Sequence, residues 1–324
     1  MRILSKYTQA ITDSLEGAVA QKNPDQLYEP IRYILSLGGK RIRPALTLMV
    51  CDFLGDDFKK AIPAALAVEL FHNFSLMHDD IMDNAPLRRG EKSVHEKWDV
   101  NAAILSGDAL LILAYRFFEK YDAGTFKALA ELFSETAIQV CEGQQLDMDF
   151  ETREDVRVEE YLKMIEQKTA VLLGASMEMG GIVAKASEEE NSLLYEFGRN
   201  LGIAFQLQDD YLDVFGDPET FGKQVGGDII ANKKTFLYLM AQQNGDAAQA
   251  EELEHLFSIT PADPADKITT VRKIFVDSGV ALATKQVMER YSNHAFQLLE
   301  KMNISEDKKS VFRAFGKDLM ERNV

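Results

Sequence analysis

Asp79, Asp80 and Asp83 in "HDDIMDNAPLRRG" and Asp209, Asp210 and Asp213 in "QDDYLD" repeat one spacing of acidic side chains. Residues four apart share a helix face, and like charges there cost roughly 0.2–0.5 kcal/mol per pair. Each cluster follows an apolar run, "AALAVELFHNFSLM" or "LLYEFGRNLGIAFQL", and precedes a breaker, Pro86 or the "GDP" of Gly216 to Pro218. The carboxylates therefore fall at the end of a helix, where the macrodipole is already partly negative. One such cluster in an acidic protein is more often a solvated helix face than a site. Two in the same context ask for a shared compensator. A hard divalent cation serves, because Mg²⁺ combines a few aspartates with substrate phosphates. The D-x-D-x-D-G loop of an EF-hand is absent from both.

The cations are placed as if for the matching anion. In "LGGKRIRP", a helix ending at Gly38 or Gly39 and another starting near Pro44 explain the glycines and the proline. Lys40, Arg41 and Arg43 remain, three cations at a helix N-terminus, where the dipole favours negative charge. A bound phosphate there reverses the sign of the problem. Arg88 and Arg89 are either a solvated turn or forks for diphosphate oxygens beside the first acidic cluster. "QKT" holds Lys168 and Thr169, and "FGKQVGGDIIANKKT" holds Lys223, Asp228 and Lys233; each lysine alone reads as ordinary surface. His72 shares its helix with Asp79.

The elements that position these groups read as helices. No proline occurs between Pro86 and Pro218, and apolar residues recur three and four apart, as in Leu194, Phe197 and Leu201. Ser187 and Glu190 form a capping box ahead of the second acidic helix. Strand alternation and solenoid repeats are absent, so the expectation is all-α, with a single domain over residues 1–324. At 46% hydrophobic and 27% charged, the chain can bury a sizeable core. A net charge of −16 argues against nucleic acid or anionic membrane surfaces as general partners. Cys51 and Cys141 offer neither a disulfide framework nor zinc spacing, and a cytoplasmic location is expected. The N-terminus lacks a signal-peptide pattern, and "AAILSGDALLILAY", broken by Asp108, is expected to be too short to span a membrane.

In this order and combination, "GGKRIRP", "HDDIMDNAPLRRG", "GQQLD", "QKT", "FQLQDDYLD" and "GKQVGGDIIANKKT" resemble the trans-isoprenyl diphosphate synthases, over nearly the whole chain. The resemblance implies an all-α bundle around a deep apolar cavity, a homodimer, and 1′-4 condensation of isopentenyl diphosphate with an allylic diphosphate (dimethylallyl, geranyl or farnesyl). It also implies three Mg²⁺ ions held by Asp79, Asp80, Asp83, Asp209, Asp210 and Asp213. Gly39, Lys40, Arg43, His72 and Arg89 would bind isopentenyl diphosphate. Arg88, Lys168, Lys223 and Lys233 would stabilise departing pyrophosphate, with Thr169 and Gln206 facing the developing cation; Arg41 has no settled role. Phe74, five residues before Asp79, and Phe71 would set product length, with C20 favoured over C15. A class I terpene cyclase would carry a different second motif. A catalytically silent regulatory relative would have lost an aspartate or a basic loop.

Overall fold

The computed structural model describes residues 2–19, 22–217 and 225–320, and these are almost entirely helical. The all-α expectation is met. The chain divides into two compact units. The first comprises Met1–Thr136, Ala175–Tyr195 and Asn303–Lys308; the second comprises Ala137–Gly174, Glu196–Met302 and Lys309–Val324.

The first unit contains α1 (Ser5–Ala18), α2 (Asp25–Ser36), α3 (Ile42–Phe53), α4 (Ile62–Met82), the short α5 (Val94–Lys97) and α6 (Val100–Phe118). Helix α4 is its axis. The run Ala64, Ala65, Leu66, Ala67, Val68, Leu70 and Phe71 is buried on all sides, and the small alanines let α1, α3 and α6 approach closely. Asp99 caps α6 by accepting from the Ala102 N–H at 2.8 Å.

Helix α6 corrects one expectation. It runs unbroken for 19 residues with mean hydropathy 1.4, long and apolar enough by composition to cross a bilayer, and Asp108 merely sits on its exposed face. Its other face packs on α4 and α2 as a core helix would. A second correction concerns the loop after α4, which folds into a hairpin of β1 (Leu87–Arg88) and β2 (Glu91–Lys92). Arg89 and Gly90 join the strands at φ 56° and 83°, the double positive φ of a type I′ turn.

Of the longer helices, α7 spans Ala123–Thr152 and α9 spans Val171–Val183, while α10 spans Glu188–Phe215. The expected capping box opens α10: Glu190 N–H donates to Ser187 Oγ at 3.2 Å, and Ser187 N–H donates to Glu190 Oε2 at 3.1 Å.

The second unit adds α8 (Val158–Ile165), a π-helical turn at Glu166–Ala170, α11 (Gly227–Ile230), α12 (Phe236–Asn244), α13 (Ala247–Ser258), α14 (Ala265–Asp277) and α15 (Val280–Lys301). Helix α16 is Glu306–Met320. Phe150, Tyr161, Leu207, Phe236, Phe275 and Val280 belong to one buried cluster here. Helix α10 lies close to the segment before α9 because Gly202 has no side chain; a Cβ there would stand 2.7 Å from the Ala170 Cα.

Candidate active site

In the first unit, Asp79 and Asp80 occupy the last turn of α4 and Asp83 is its C-cap, with its N–H donating to the Asp79 carbonyl at 2.8 Å. Asp80 is 1% exposed, and its carboxylate is gripped by Arg88: Nε donates to Oδ1 at 2.9 Å and to Oδ2 at 3.2 Å, and Nη2 donates to Oδ1 as well. Asp79 is half-buried and Asp83 exposed.

The next hairpin residue faces the basic loop. Arg89 Nη1 donates to the Gly38 carbonyl, and the guanidinium lies so close to Gly39 that a Cβ there would meet its Cζ at 2.9 Å. Gly38, at φ 78°, ends α2 as expected. Gly39 has a different task, making room for Arg89. Lys40 follows, and Arg43 stands in the first turn of α3, its buried Nε without a hydrogen-bond partner among the described residues. His72 is held well below the usual imidazole range, first by burial and then by Arg43, Arg89, Arg88 and Arg41. It is therefore neutral and can donate one N–H to an anion. A pocket of several cations, a neutral imidazole and an unanswered buried donor suits a diphosphate.

Phe74 and Phe71, between one and about two turns behind the carboxylates on α4, meet at a tilt of 44°. Their ring centroids are 5.6 Å apart; Phe74 also meets His78 at 4.7 Å, and Phe71 meets Phe133 at 5.1 Å.

In the second unit, the π-turn presents Lys168 and Thr169. Such single-turn bulges recur at functional sites because they re-aim side chains. This one is held from several sides. Gln167 donates to Glu142 at 2.8 Å, Arg199 pairs with Glu166, and Lys168 pairs with Asp147. Gly143 lies against it, where a Cβ would be 2.3 Å from the Lys168 nitrogen. Thr169 Oγ1 donates to Gln206 Oε1 at 3.4 Å, Gln206 Nε2 donates to Asp210 Oδ1 at 3.3 Å, and the Tyr161 hydroxyl donates to Asp210 Oδ2 at 2.6 Å. Burial, reinforced by Asp228, pushes the Asp210 carboxyl up to about 8 despite those hydrogen bonds. Asp213 accepts from the Asp228 N–H at 2.9 Å and so fixes the start of α11, while Asp209 is half-buried on α10. Lys233 is exposed, its N–H donating to the Asp228 carbonyl at 2.9 Å. Lys223 lies outside the described residues.

Among the described residues no three His, Cys, Asp or Glu side chains form a closed cation cage. Aspartates at helix ends suit instead an ion that takes one or two carboxylates and completes its shell with water and phosphate oxygens, as Mg²⁺ does. Sequence reasoning assigned no role to Tyr161, Asp147, Gly143 or Glu69. Tyr161 is 49 residues from Asp210, so no local pattern joins them. Glu69 had a signal: a charge inside the apolar run "AALAVELF".

The family profile of polyprenyl synthetase matches residues 24–275. A geranylgeranyl diphosphate synthase from Methanosarcina mazei is 41% identical over 243 residues, 74% of each chain. A geranylfarnesyl diphosphate synthase from Natronomonas pharaonis is 36% identical over 281 residues, 80% of each chain. A crystal structure of a geranylgeranyl pyrophosphate synthase superposes with a TM-score of 0.95 at 50% identity over 99% of both chains. With the aspartate-tipped helices and the basic loop already in place, these likenesses settle the kinship: the chain belongs to the polyprenyl synthetase family and is a prenyltransferase.

Proposed function

We propose that the chain condenses isopentenyl diphosphate with an allylic diphosphate, head to tail, to a short trans-polyprenyl diphosphate, C20 in preference to C15. The observation that carries this reading is the Leu87–Lys92 hairpin, which sets Arg88 on the acidic end of α4 and Arg89 on the basic loop. Diphosphate charge is thereby answered at two neighbouring places.

The allylic C1–O bond breaks with its electron pair leaving on pyrophosphate. The C3=C4 bond of isopentenyl diphosphate supplies the pair for the new C4–C1 bond, and the proton then lost from C2 goes to the released pyrophosphate. Lys40, Arg43, His72 and Arg89 hold the isopentenyl diphosphate. Arg88, Lys168, Lys223 and Lys233 act on the departing pyrophosphate, whose charge is greatest late in ionisation, so they lower the barrier differentially. The Thr169 and Gln206 oxygens direct dipoles at the allylic cation. Asp79, Asp80, Asp83, Asp209, Asp210 and Asp213 are the residues that would hold Mg²⁺, which when bound neutralises the leaving group.

The exposed side chains of Val100, Ile104, Leu105 and Ile112 on α6, with Asp108 among them, support a homodimer, because a second copy would cover them. Two free cysteines accord with a cytoplasmic location. Incubation with Mg²⁺, isopentenyl diphosphate and each of dimethylallyl, geranyl and farnesyl diphosphate tests the reaction. A C20 product with all three supports the reading. Cyclised hydrocarbon, or no elongation with any primer, overturns it.

A further inference from the structure

Arg41 sits between two residues assigned to isopentenyl diphosphate, yet its side chain is turned elsewhere. Its Nη1 pairs with Glu69 Oε1, and Nη2 donates to the Leu35 carbonyl at 2.6 Å. The side chains are 7% and 2% exposed, so the pair is sealed from water. Asn73, fully buried one turn along α4, donates its Nδ2 to the same Glu69 oxygen at 2.7 Å and to the Glu69 carbonyl at 2.8 Å. Arg41 itself holds φ 49° as the N-cap of α3, a left-handed conformation that a side chain adopts only when its surroundings enforce it.

We propose that Glu69 and Arg41 are positioning residues: the buried pair locks the loop so that Lys40 and Arg43, on either side of Arg41, are presented to isopentenyl diphosphate, while Arg41 takes no part in holding it. The sign of the charges makes this more than a packing statement. Glu69 is a carboxylate among Arg41, Arg43, Arg89 and His72, where electrostatics alone would make it a repellent to diphosphate. Its presence is explained if the arginine it captures must be kept out of the anion site and in a fixed backbone conformation. A buried charge robbed of its partner is strongly destabilising where it stands, so removing either partner loosens the loop that the pair holds. The proposal rests on the reading of Lys40 and Arg43 as diphosphate ligands.

The test is a double-mutant cycle on isopentenyl diphosphate affinity, measured directly without allylic substrate, with kcat and allylic KM recorded in parallel. Arg41→Gln and Glu69→Gln should each weaken binding about tenfold, with kcat and allylic KM within twofold of wild type. The double variant, whose amides replace the ion pair by a neutral hydrogen bond, should return to within threefold of wild type. A direct ligand role for Arg41 predicts the opposite: Glu69→Gln leaves affinity unchanged or tighter, and the double variant keeps the full loss of Arg41→Gln. Either result overturns the proposal. Should a single variant fail to fold, the double variant decides alone by the same threefold criterion. Lys40→Ala is the control for the underlying reading. If it leaves affinity unchanged, the ligand assignment has failed, and compensation between positions 41 and 69 then shows only in the thermal midpoint.

Discussion

The two acidic motifs share a spacing and a place on their helices, and each buries its middle aspartate, but those aspartates have different partners. Asp80 in the first unit is neutralised by a guanidinium donating to both of its oxygens. Asp210 in the second is held by a phenol and an amide, and burial pushes its carboxyl up to about 8. One motif has its buried carboxylate ion-paired within the fold. The other is stabilised toward its neutral form. Identical letters in a sequence therefore describe two electrostatic situations, distinguished by which side chain the fold brings alongside.

Replacing each buried aspartate by asparagine probes that contrast most strongly. Both Asp80→Asn and Asp210→Asn should lower kcat at least about a hundredfold, but unfolding in the absence of Mg²⁺ should separate them. Asp80→Asn strands Arg88 and should cost about 2 kcal/mol, less than for a fully buried pair because Arg88 keeps some water. Asp210→Asn removes a desolvated carboxyl and should leave stability unchanged or raise it by up to ~1 kcal/mol. Equal losses would erase the distinction.

Gly143→Ala should come next. Its methyl would intrude on the Lys168 backbone and shift the π-turn, reducing kcat about a hundredfold through misplacement, with ~1–3 kcal/mol lost to overpacking. Gly17→Ala in α1 of the first unit, where nothing lies within 4 Å, should leave kcat unchanged and raise stability by up to ~1 kcal/mol. Product analysis then sharpens the division of labour. Phe74→Ala should lengthen the product by at least one isoprene unit, since each added CH₂ gains about 0.8 kcal/mol on burial, and Phe71 and Phe133 would form the next barrier. An unchanged product distribution would remove Phe74 as the length determinant.

The smallest effect is a pH slope in the first unit. Burial alone raises Glu178 from 4.5 to about 7. The folded state thus holds its proton more tightly, and its stabilising contribution is complete below the unfolded value and lost as pH climbs toward 7. Glu178→Gln should flatten that slope by on the order of 1 kcal/mol after allowance for solvent screening, as urea unfolding at pH 4.5 and 7.5 would read.

Helices, the Ser187 cap and the placement of both motifs were readable because each depends on neighbours within about one helical turn. The hairpin was not: Arg-Gly is a weak signal for a type I′ turn, and two-residue strands have no alternation to detect. Pairings made at a distance were equally hidden, Glu69 with Arg41 across 28 residues and Asp210 with Tyr161 across 49. The length of α6 was misjudged because Asp108 looked like an interruption, whereas on a helix one face can carry a charge while the other is packed.

The hairpin also overturns a common assumption about surface loops, which generally accept insertions. Its two arginines occupy consecutive positions and reach different targets, one the tip of α4 and the other the carbonyl of Gly38. Adding a single residue between them would flip the parity of everything downstream, leaving one arginine engaged and its twin on the wrong side. This short tether thus behaves as a two-ended key whose teeth must be cut at a fixed interval: its length, more than its composition, is what selection would hold constant.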